Sequence, residues 1–334
     1  MLEDNKDIYP DDEFDALYPA VKSAIRNSLV ESAFDFHETL ACKARNSYVK
    51  LGRSALLFVM LGALFTVIEA LIAQTFSVAM PHWLSAFFAL IVTVGIAIQL
   101  FLIGSKMQQK WLNNRFAAER LRSIKFQSFA IAIDALNEED FGKKVDEFTR
   151  SELAVFRQEM NASRALLRSF SPVRAIARIP RPVAKGRPDI LAQAKTCYRI
   201  LRTQYQLQFT ADELDRLALT RRKNVFAADI CYLVGAICAV LALIVKLGWP
   251  DHHGIAIIFD ALVAFMFIFG LFLLNWENVS LREESETRFA EYRDELAKGE
   301  TQAEFIDELV LVERATMEEL REFCRSADRV SYRL

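Results

Sequence analysis

This sequence has few of the residues that break helices and strands, cross-link chains or take part in catalysis. The 334 residues include only five cysteines, 11 glycines, eight prolines and four histidines. The cysteines are odd in number and form no C-x-x-C pair, which argues against a disulfide framework and a zinc site. The sequence also lacks a glycine-rich phosphate loop, a nucleophile elbow and a metal-spaced His/Cys cluster. We therefore expect neither an enzyme nor a bound metal or cofactor.

The strict alternation of apolar and polar residues that marks a strand is missing as well. Long apolar blocks are present instead, at residues 54–76, 83–104, 225–245 and 254–274, and none contains proline. A helix of about 20 residues crosses a hydrocarbon core of about 30 Å. Core helices of soluble bundles carry a polar stripe, whereas these blocks are apolar on all faces. The predicted fold class is an all-α membrane protein with four transmembrane helices.

Lysine and arginine are distributed unequally around these blocks. They precede the first and third blocks and follow the second, whereas the connection at 76–82 has none and the second short connection has only Lys246. Because positive residues favour the cytoplasmic side, we expect both termini and the middle of the chain to be cytoplasmic. The predicted segments are an acidic N-terminus and cytoplasmic helix at 1–53, hairpins at 54–104 and 225–274, and cytoplasmic helical regions at 105–224 and 275–334.

Local signals predict where the cytoplasmic helices begin and how they are patterned. No strong breaker interrupts residues 19–53, which predicts one helix of about 30 residues entering the first block. Thr210 with Glu213, and Thr301 with Glu304, fit the capping-box spacing and predict two further helix starts. After the second block, apolar and charged residues alternate at helical spacing to about residue 129.

An offset of 173 residues superposes the first hairpin on the second. The motif R-F-A-x-x-R occurs at both 115–120 and 288–293, and Leu61-Gly62-Ala63 falls on Val234-Gly235-Ala236. The offset holds within and after the hairpins, which indicates an internal duplication. Two units separated by an even number of crossings are parallel, an arrangement that suits a ring around a pore.

The middle of the chain carries a basic cassette that we define by its ten cations. Between residues 160 and 211 these face a single anion, Asp189, for a net charge of +9, while residues 1–19 hold seven acids against one lysine. The cassette consists of Arg164, Arg168, Arg174, Arg178, Arg181, Lys185, Arg187, Lys195, Arg199 and Arg202.

Three interpretations of this cassette remain open. Its cations are suited to anionic lipid headgroups, or to pairing with the acidic N-terminus or the C-terminal tail. The third is a nucleotide or single-stranded oligonucleotide, since arginine, which predominates, contacts phosphates in a planar, bidentate way. Aromatic residues interleaved with the cations, Tyr198 among them, are suited to base stacking.

Several polar residues fall inside the apolar blocks. Glu69 lies deep in the first, where a charge costs at least about 2.5–3.5 kcal/mol, so it should face a neighbouring helix or water. Gln99, Asp229 and Asp260 are weaker candidates for pore or inter-helix positions, because the alternative for each is a place near the membrane interface to which its polar end snorkels. The duplicated position of Glu69 is Ala242, so an acidic ring would need several copies of the chain.

Two stretches carry a resemblance to a known family. The run K-A-R-N-S-Y at 43–48, entering one span, and W-L-N-N-R-F-A-A-E-R-L at 111–121, leaving the next, resemble two-span bacterial effector domains called SLATT. The resemblance covers residues 38–130, and a second copy at 215–298 departs from it with Glu284 in place of the tryptophan. It implies a pore-forming, growth-arresting effector of anti-phage defence in the bacterial inner membrane, commonly encoded beside a nucleotidyltransferase. The architecture is also similar to the membrane effectors of Hailong-type defence, channels gated by a DNA oligomer.

The leading functional hypothesis is therefore a homo-oligomeric ion channel whose basic cytoplasmic domain binds a nucleotide or oligonucleotide signal. A non-conducting membrane scaffold that recruits cytoplasmic proteins through the acidic tail is the alternative.

Overall fold

The computed structural model describes residues 5–76, 81–161, 176, 179, 186–249, 253–279, 282–302 and 304–329. These residues form helices and no strand, which confirms the predicted all-α class. The α-helices are α1 Glu13–Leu17, α2 Lys22–Ile25, α3 Ser28–Phe76, α4 His82–Gly104, α5 Met107–Gln127, α6 Glu138–Asn161, α7 Pro188–Tyr198, α8 Tyr205–Gly248, α9 His253–Val279, α10 Arg282–Glu300 and α11 Phe305–Arg329. Two 3-10 helices, Pro19–Val21 and Ser128–Ile133, and a π-helix, Arg199–Gln204, lie between them.

Four helices, α3, α4, α8 and α9, are long and apolar enough to cross a membrane. They contain the four apolar blocks, and this composition is that of a multi-pass membrane protein. Large apolar side chains on them, such as Leu100, Leu243 and Ile258, are more exposed than buried. Such a surface is unfavourable in water and suited to contact with lipid chains.

The predicted helix from Pro19 into the first apolar block is wrong over its first nine residues. A 3-10 turn begins at Pro19, α2 follows, and α3 begins only at Ser28. The break is at Asn27, whose carbonyl and side-chain oxygens both accept from the Val30 N–H, at 3.0 and 3.4 Å. The Asn27 amide also donates to the Thr149 hydroxyl at 2.8 Å, in a buried position. An asparagine that caps a helix while bonded to another helix fixes this start more firmly than propensity does.

The two capping boxes have different outcomes. Thr210 lies inside the continuous helix α8, where its hydroxyl donates back to the Gln206 carbonyl at 2.8 Å, so the helix start predicted there is wrong. Near the second box, α11 does begin, but at Phe305, and the Thr301 hydroxyl donates to the Lys298 carbonyl at 2.8 Å. Neither threonine therefore caps a helix N-terminus.

The contacts divide the chain into two units. We call the first the core unit, comprising Met1–Lys43, Gln109–Asp215 and Glu284–Arg329, and the second the spanning unit, comprising Ala44–Gln108, Arg216–Glu283 and Val330–Leu334. In the core unit every residue from 116 to 132 is buried, so α5 and the 3-10 helix after it are central to it. The alternation of apolar and charged residues predicted for α5 thus does not divide the helix into an exposed face and a buried face. Its charged residues are inside with the apolar ones.

Glycines allow close helix packing in the spanning unit. A Cβ atom on Gly95 of α4 would lie 2.8 Å from Val59 Cγ2, 3.1 Å from the Ala55 carbonyl oxygen and 3.2 Å from Phe58 Cβ, all on α3. Gly104, at the end of α4, has no such neighbour within 4 Å. Gly95 therefore sets how closely α3 and α4 approach.

A Gly95→Ala variant is expected to lower the free energy of unfolding of the spanning unit by about 1–3 kcal/mol, because a backbone oxygen and a stiff valine would have to move. Gly104→Ala is the matched control on the same helix, and we expect it to be neutral or to stabilise by up to about 1 kcal/mol. Thermal unfolding of both variants in detergent checks this. Equal melting temperatures would show that the approach of α3 to α4 does not depend on Gly95.

Candidate functional site

The basic cassette has two parts in the structure. Six of its cations, Arg164, Arg168, Arg174, Arg178, Arg181 and Lys185, lie outside the described residues. Arg187 precedes α7, Lys195 and Tyr198 lie on α7, and Arg199 and Arg202 lie on the π-helix that continues it. These last five residues are described by the structure, and most of them form contacts within the core unit.

Arg202 is fully buried and paired with the last helix of the chain. Its Nε and Nη2 atoms donate to the two carboxylate oxygens of Glu313 at 2.8 and 3.3 Å, and its Nη1 atom lies 3.9 Å from Asp7 Oδ2. The guanidinium also lies over the Phe126 ring, 4.8 Å from its centroid. A bidentate ion pair closed by an aromatic face leaves Arg202 no surface with which to contact a phosphate.

Tyr198 is an interior residue as well. Its ring is fully buried in edge contact with Phe126, Phe129 and Phe305, and its hydroxyl donates to Glu313 Oε1 at 3.4 Å. Burial raises the pKa of this phenol well above its usual range. The interpretation of Tyr198 and Arg202 as ligand contacts is therefore corrected, because both belong to the packed core.

The other described members of the cassette are also engaged, although less deeply. Arg199 donates to Glu308 Oε2 at 2.7 Å and to the Gln302 carbonyl at 3.3 Å. Arg187 is exposed and forms a bidentate pair with Asp189. Lys195 is half-buried and close enough to lower the pKa of the Glu308 carboxyl, whose pKa is nevertheless raised overall by burial. Arg199 and Arg202 thus form ion pairs within the chain. Arg199 pairs with an acid of α11, and Arg202 pairs with an acid of α11 and one of the N-terminus.

The structure shows a second set of charges that sequence reasoning missed, which we call the α5 charges. Arg120 donates to Glu152 at 2.9 Å, and Arg122 donates to Glu119 at 2.8 Å. They are joined by two long-range contacts, in which Arg122 Nε lies 3.1 Å from Asp7 Oδ2 and Lys125 Nζ lies 3.3 Å from Glu31 Oε1. The only sequence signal for them is that charges fall on every side of α5, leaving it no separate polar face.

Burial and charge act in opposite directions on these groups. Burial raises the pKa of Asp7, although Arg122 and Arg202 act to lower it. For Glu119, burial would raise the pKa, but Arg115 and then Arg122 and Arg202 bring it down to about 2. Glu119 is thus a permanent anion between cations at neutral pH. These groups fix the packing of α5, and they offer no proton donor or nucleophile facing solvent.

The candidate residues of the spanning helices have different surroundings. Glu69, half-buried on α3, accepts a hydrogen bond from Ser85 of α4, so it does face a neighbouring helix. Gln99 is buried, and its Nε2 atom has no hydrogen-bond acceptor among the described residues. Asp260 pairs with Lys246 at 2.8 Å. Asp229 is exposed on α8.

Residues 37–132 match a family described as a protein of unknown function, DUF4231. The match runs from α3 through α4 and α5 to the end of the 3-10 helix that follows. Its bounds are close to those of the resemblance noted in the sequence, residues 38–130. No curated protein and no solved structure matches the chain.

Proposed function

We propose that this chain is one subunit of a homo-oligomeric ion channel of the bacterial inner membrane. In this proposal the chain shares the function of SLATT effectors, which it resembles in sequence pattern, and of Hailong-type effectors, to which it is similar in architecture. Opening of the channel arrests growth during anti-phage defence. The two hairpins are parallel repeats, and both termini and the core unit are cytoplasmic. A nucleotide or single-stranded DNA oligomer, made by a nucleotidyltransferase partner, sets the open probability.

The observation that supports a channel is that two polar side chains on the spanning helices lack partners within the described part of the chain. Asp229 is exposed on α8, and no ion pair joins it to another described residue. The Gln99 amide is buried on α4 without a hydrogen-bond acceptor among the described residues. A charged group at the centre of a span costs at least about 2.5–3.5 kcal/mol, and Asp229, the fifth residue of its apolar block, retains part of that cost where it faces lipid. A water-filled pore between several copies of the chain removes this cost for Asp229, and a neighbouring copy supplies a partner for Gln99.

We assign the signal to the part of the basic cassette whose charge is most one-sided in the sequence. Arg199 and Arg202 are committed to acids of α11. Residues 162–185, by contrast, contain six cations and no acid. Five of the six are arginines, which favours bidentate contact with phosphates. The ligand gates the pore only if this segment binds it with different affinity in the open and closed states.

Replacing Arg174, Arg178 and Arg181 together with alanine is expected to remove the response of the channel to short single-stranded DNA. The slope of log affinity against log salt should also fall by about 2, since each lost phosphate contact to a single strand contributes about 0.7. Currents of the purified full chain in planar bilayers, and binding titrations at several salt concentrations, measure the two effects.

The matched control replaces Lys143, Arg314 and Arg325 with alanine. These three cations are exposed, and within the described part of the chain each pairs only with an acid three or four residues away on its own helix. The control variant should respond to DNA as the unmodified chain does. Unchanged binding in the arginine variant would contradict the site, and the absence of current in every condition would favour the membrane scaffold.

A further inference from the structure

The spanning unit contains a cavity of about 430 Å³ between α3 and α9. On α3 it is lined by Asn46, Lys50, Arg53 and Leu57 among others, which recur three or four residues apart and so share one face of the helix. On α9 it is lined by Phe272 and Trp276, again four residues apart. The two faces form a groove whose composition changes along its length.

The change in composition coincides with the ends of the apolar blocks. Lys50 and Arg53 precede the block at 54–76, and Trp276 follows the block at 254–274. Leu57 and Phe272 lie inside those blocks. Tryptophan and basic residues are typical of the boundary between a membrane and water. The cavity thus has a cationic end at this boundary and an apolar end within the spans, the same order of polarity as a phospholipid.

The cationic end is open and its charges are available. Lys50 and Arg53 are both exposed, and neither has an ion pair among the described residues. The Arg53 guanidinium lies 4.8 Å from the centroid of the Trp276 ring. A cation–π contact of this kind holds the guanidinium in one place while leaving its N–H groups free to donate. Two cations held beside an apolar groove are suited to a phosphate that carries a hydrocarbon tail.

We propose that this cavity binds an anionic phospholipid. Lys50 and Arg53 donate to the phosphate, and an acyl chain lies along Leu57 and Phe272. The site occurs once per chain, because the offset of 173 residues places Phe226 at the position of Arg53 and Ile103 at that of Trp276. Lys50, by contrast, has a counterpart in Lys223. This lysine offers a control of the same charge, near the start of another span, without the tryptophan and the arginine.

Native mass spectrometry of the delipidated full chain in mild detergent tests the proposal, with phosphatidylglycerol, phosphatidylcholine and free glycerol phosphate added in separate titrations. We expect phosphatidylglycerol to bind more tightly than phosphatidylcholine. The Lys50→Gln/Arg53→Gln variant should lose about thirtyfold in affinity for phosphatidylglycerol, at about fivefold for each cation near a membrane surface. Trp276→Leu should weaken the same binding, and Lys223→Gln should leave it unchanged.

Three outcomes would overturn the proposal. Equal affinity of the double variant and the unmodified chain for phosphatidylglycerol would show that these cations do not bind it. A loss of about fivefold in Lys223→Gln, the same loss per cation as in the double variant, would show a diffuse attraction to positive charge. Binding of free glycerol phosphate as tightly as phosphatidylglycerol would show a phosphate ligand without a lipid tail. Because the replaced cations are exposed, unchanged melting temperatures should accompany the loss of lipid.

Discussion

A Glu313→Gln variant is expected to lose about 3–5 kcal/mol of the free energy of unfolding of the core unit, the cost of breaking a buried ion pair from one side. Arg202 would remain fully buried, with Asp7 at 3.9 Å as its remaining ion-pair contact among the described residues. Tyr198 would also lose the carboxylate to which its hydroxyl donates. The loss is large because Arg202 and Glu313 are both fully buried, so the guanidinium would be left without its bidentate counterion away from water.

Hydrogen exchange of the α5 backbone amides in the full chain measures this loss, since α5 is central to the core unit. Glu318→Gln is the matched control on the same helix. The side chain of Glu318 is 47% exposed and pairs with Arg314 at 3.0 Å, so its loss should cost under about 1 kcal/mol. A double variant, Arg202→Met with Glu313→Leu, should regain much of the stability, because it removes both charges. Equal protection in the two single variants would contradict the assignment of Arg202 and Glu313 as a buried pair.

The second large effect concerns acid. Glu119 has a pKa of about 2 in the folded chain, and an unfolded glutamate titrates near 4.5. Its folded pKa is depressed, so its contribution is present above pH 4.5 and disappears as the pH falls towards 2. The difference corresponds to about 3 kcal/mol of stability at neutral pH. We expect a Glu119→Gln variant to lose this stability at pH 7 and to unfold with a weaker dependence on pH between 5 and 2.

Unfolding of the core unit measured at a series of pH values gives the two slopes. The Glu318→Gln variant should keep the slope of the unmodified chain, since it removes a partly exposed carboxylate that is not buried between cations. If Glu119→Gln and the unmodified chain lost stability in parallel as the pH fell, Arg115 and Arg122 would not be what holds Glu119 ionised.

The spanning helices were predictable because hydropathy is a local property. An apolar run longer than 20 residues can be recognised without knowing which residues pack against it in the fold. The four blocks are found in α3, α4, α8 and α9. The break before α3 was not predictable in this way. It depends on Asn27 bonding to Thr149, which is 122 residues further along the chain.

The roles of the residues in the basic cassette were not predictable from the sequence for the same reason. Composition placed ten cations together, and phosphate binding was one reasonable interpretation of them. Which of these cations face solvent depends on which of them the fold pairs with acids that are distant in the sequence. Glu313 is 111 residues from Arg202, and Asp7 lies almost at the start of the chain. Likewise, the charges of α5 resemble a surface pattern until their partners on other segments are known.

The pairing of Arg202 also fixes the order in which this protein can mature. On the ribosome, Arg202 is synthesised before α8 and α9, whereas Glu313 follows both, in the last helix described. The nascent chain therefore lacks the bidentate partner of Arg202 while its third and fourth apolar helices emerge. Completion of the core unit must therefore wait until α11 has been made. A product terminated before α11 would have all four apolar helices but would lack the carboxylates that pair with Arg199 and Arg202.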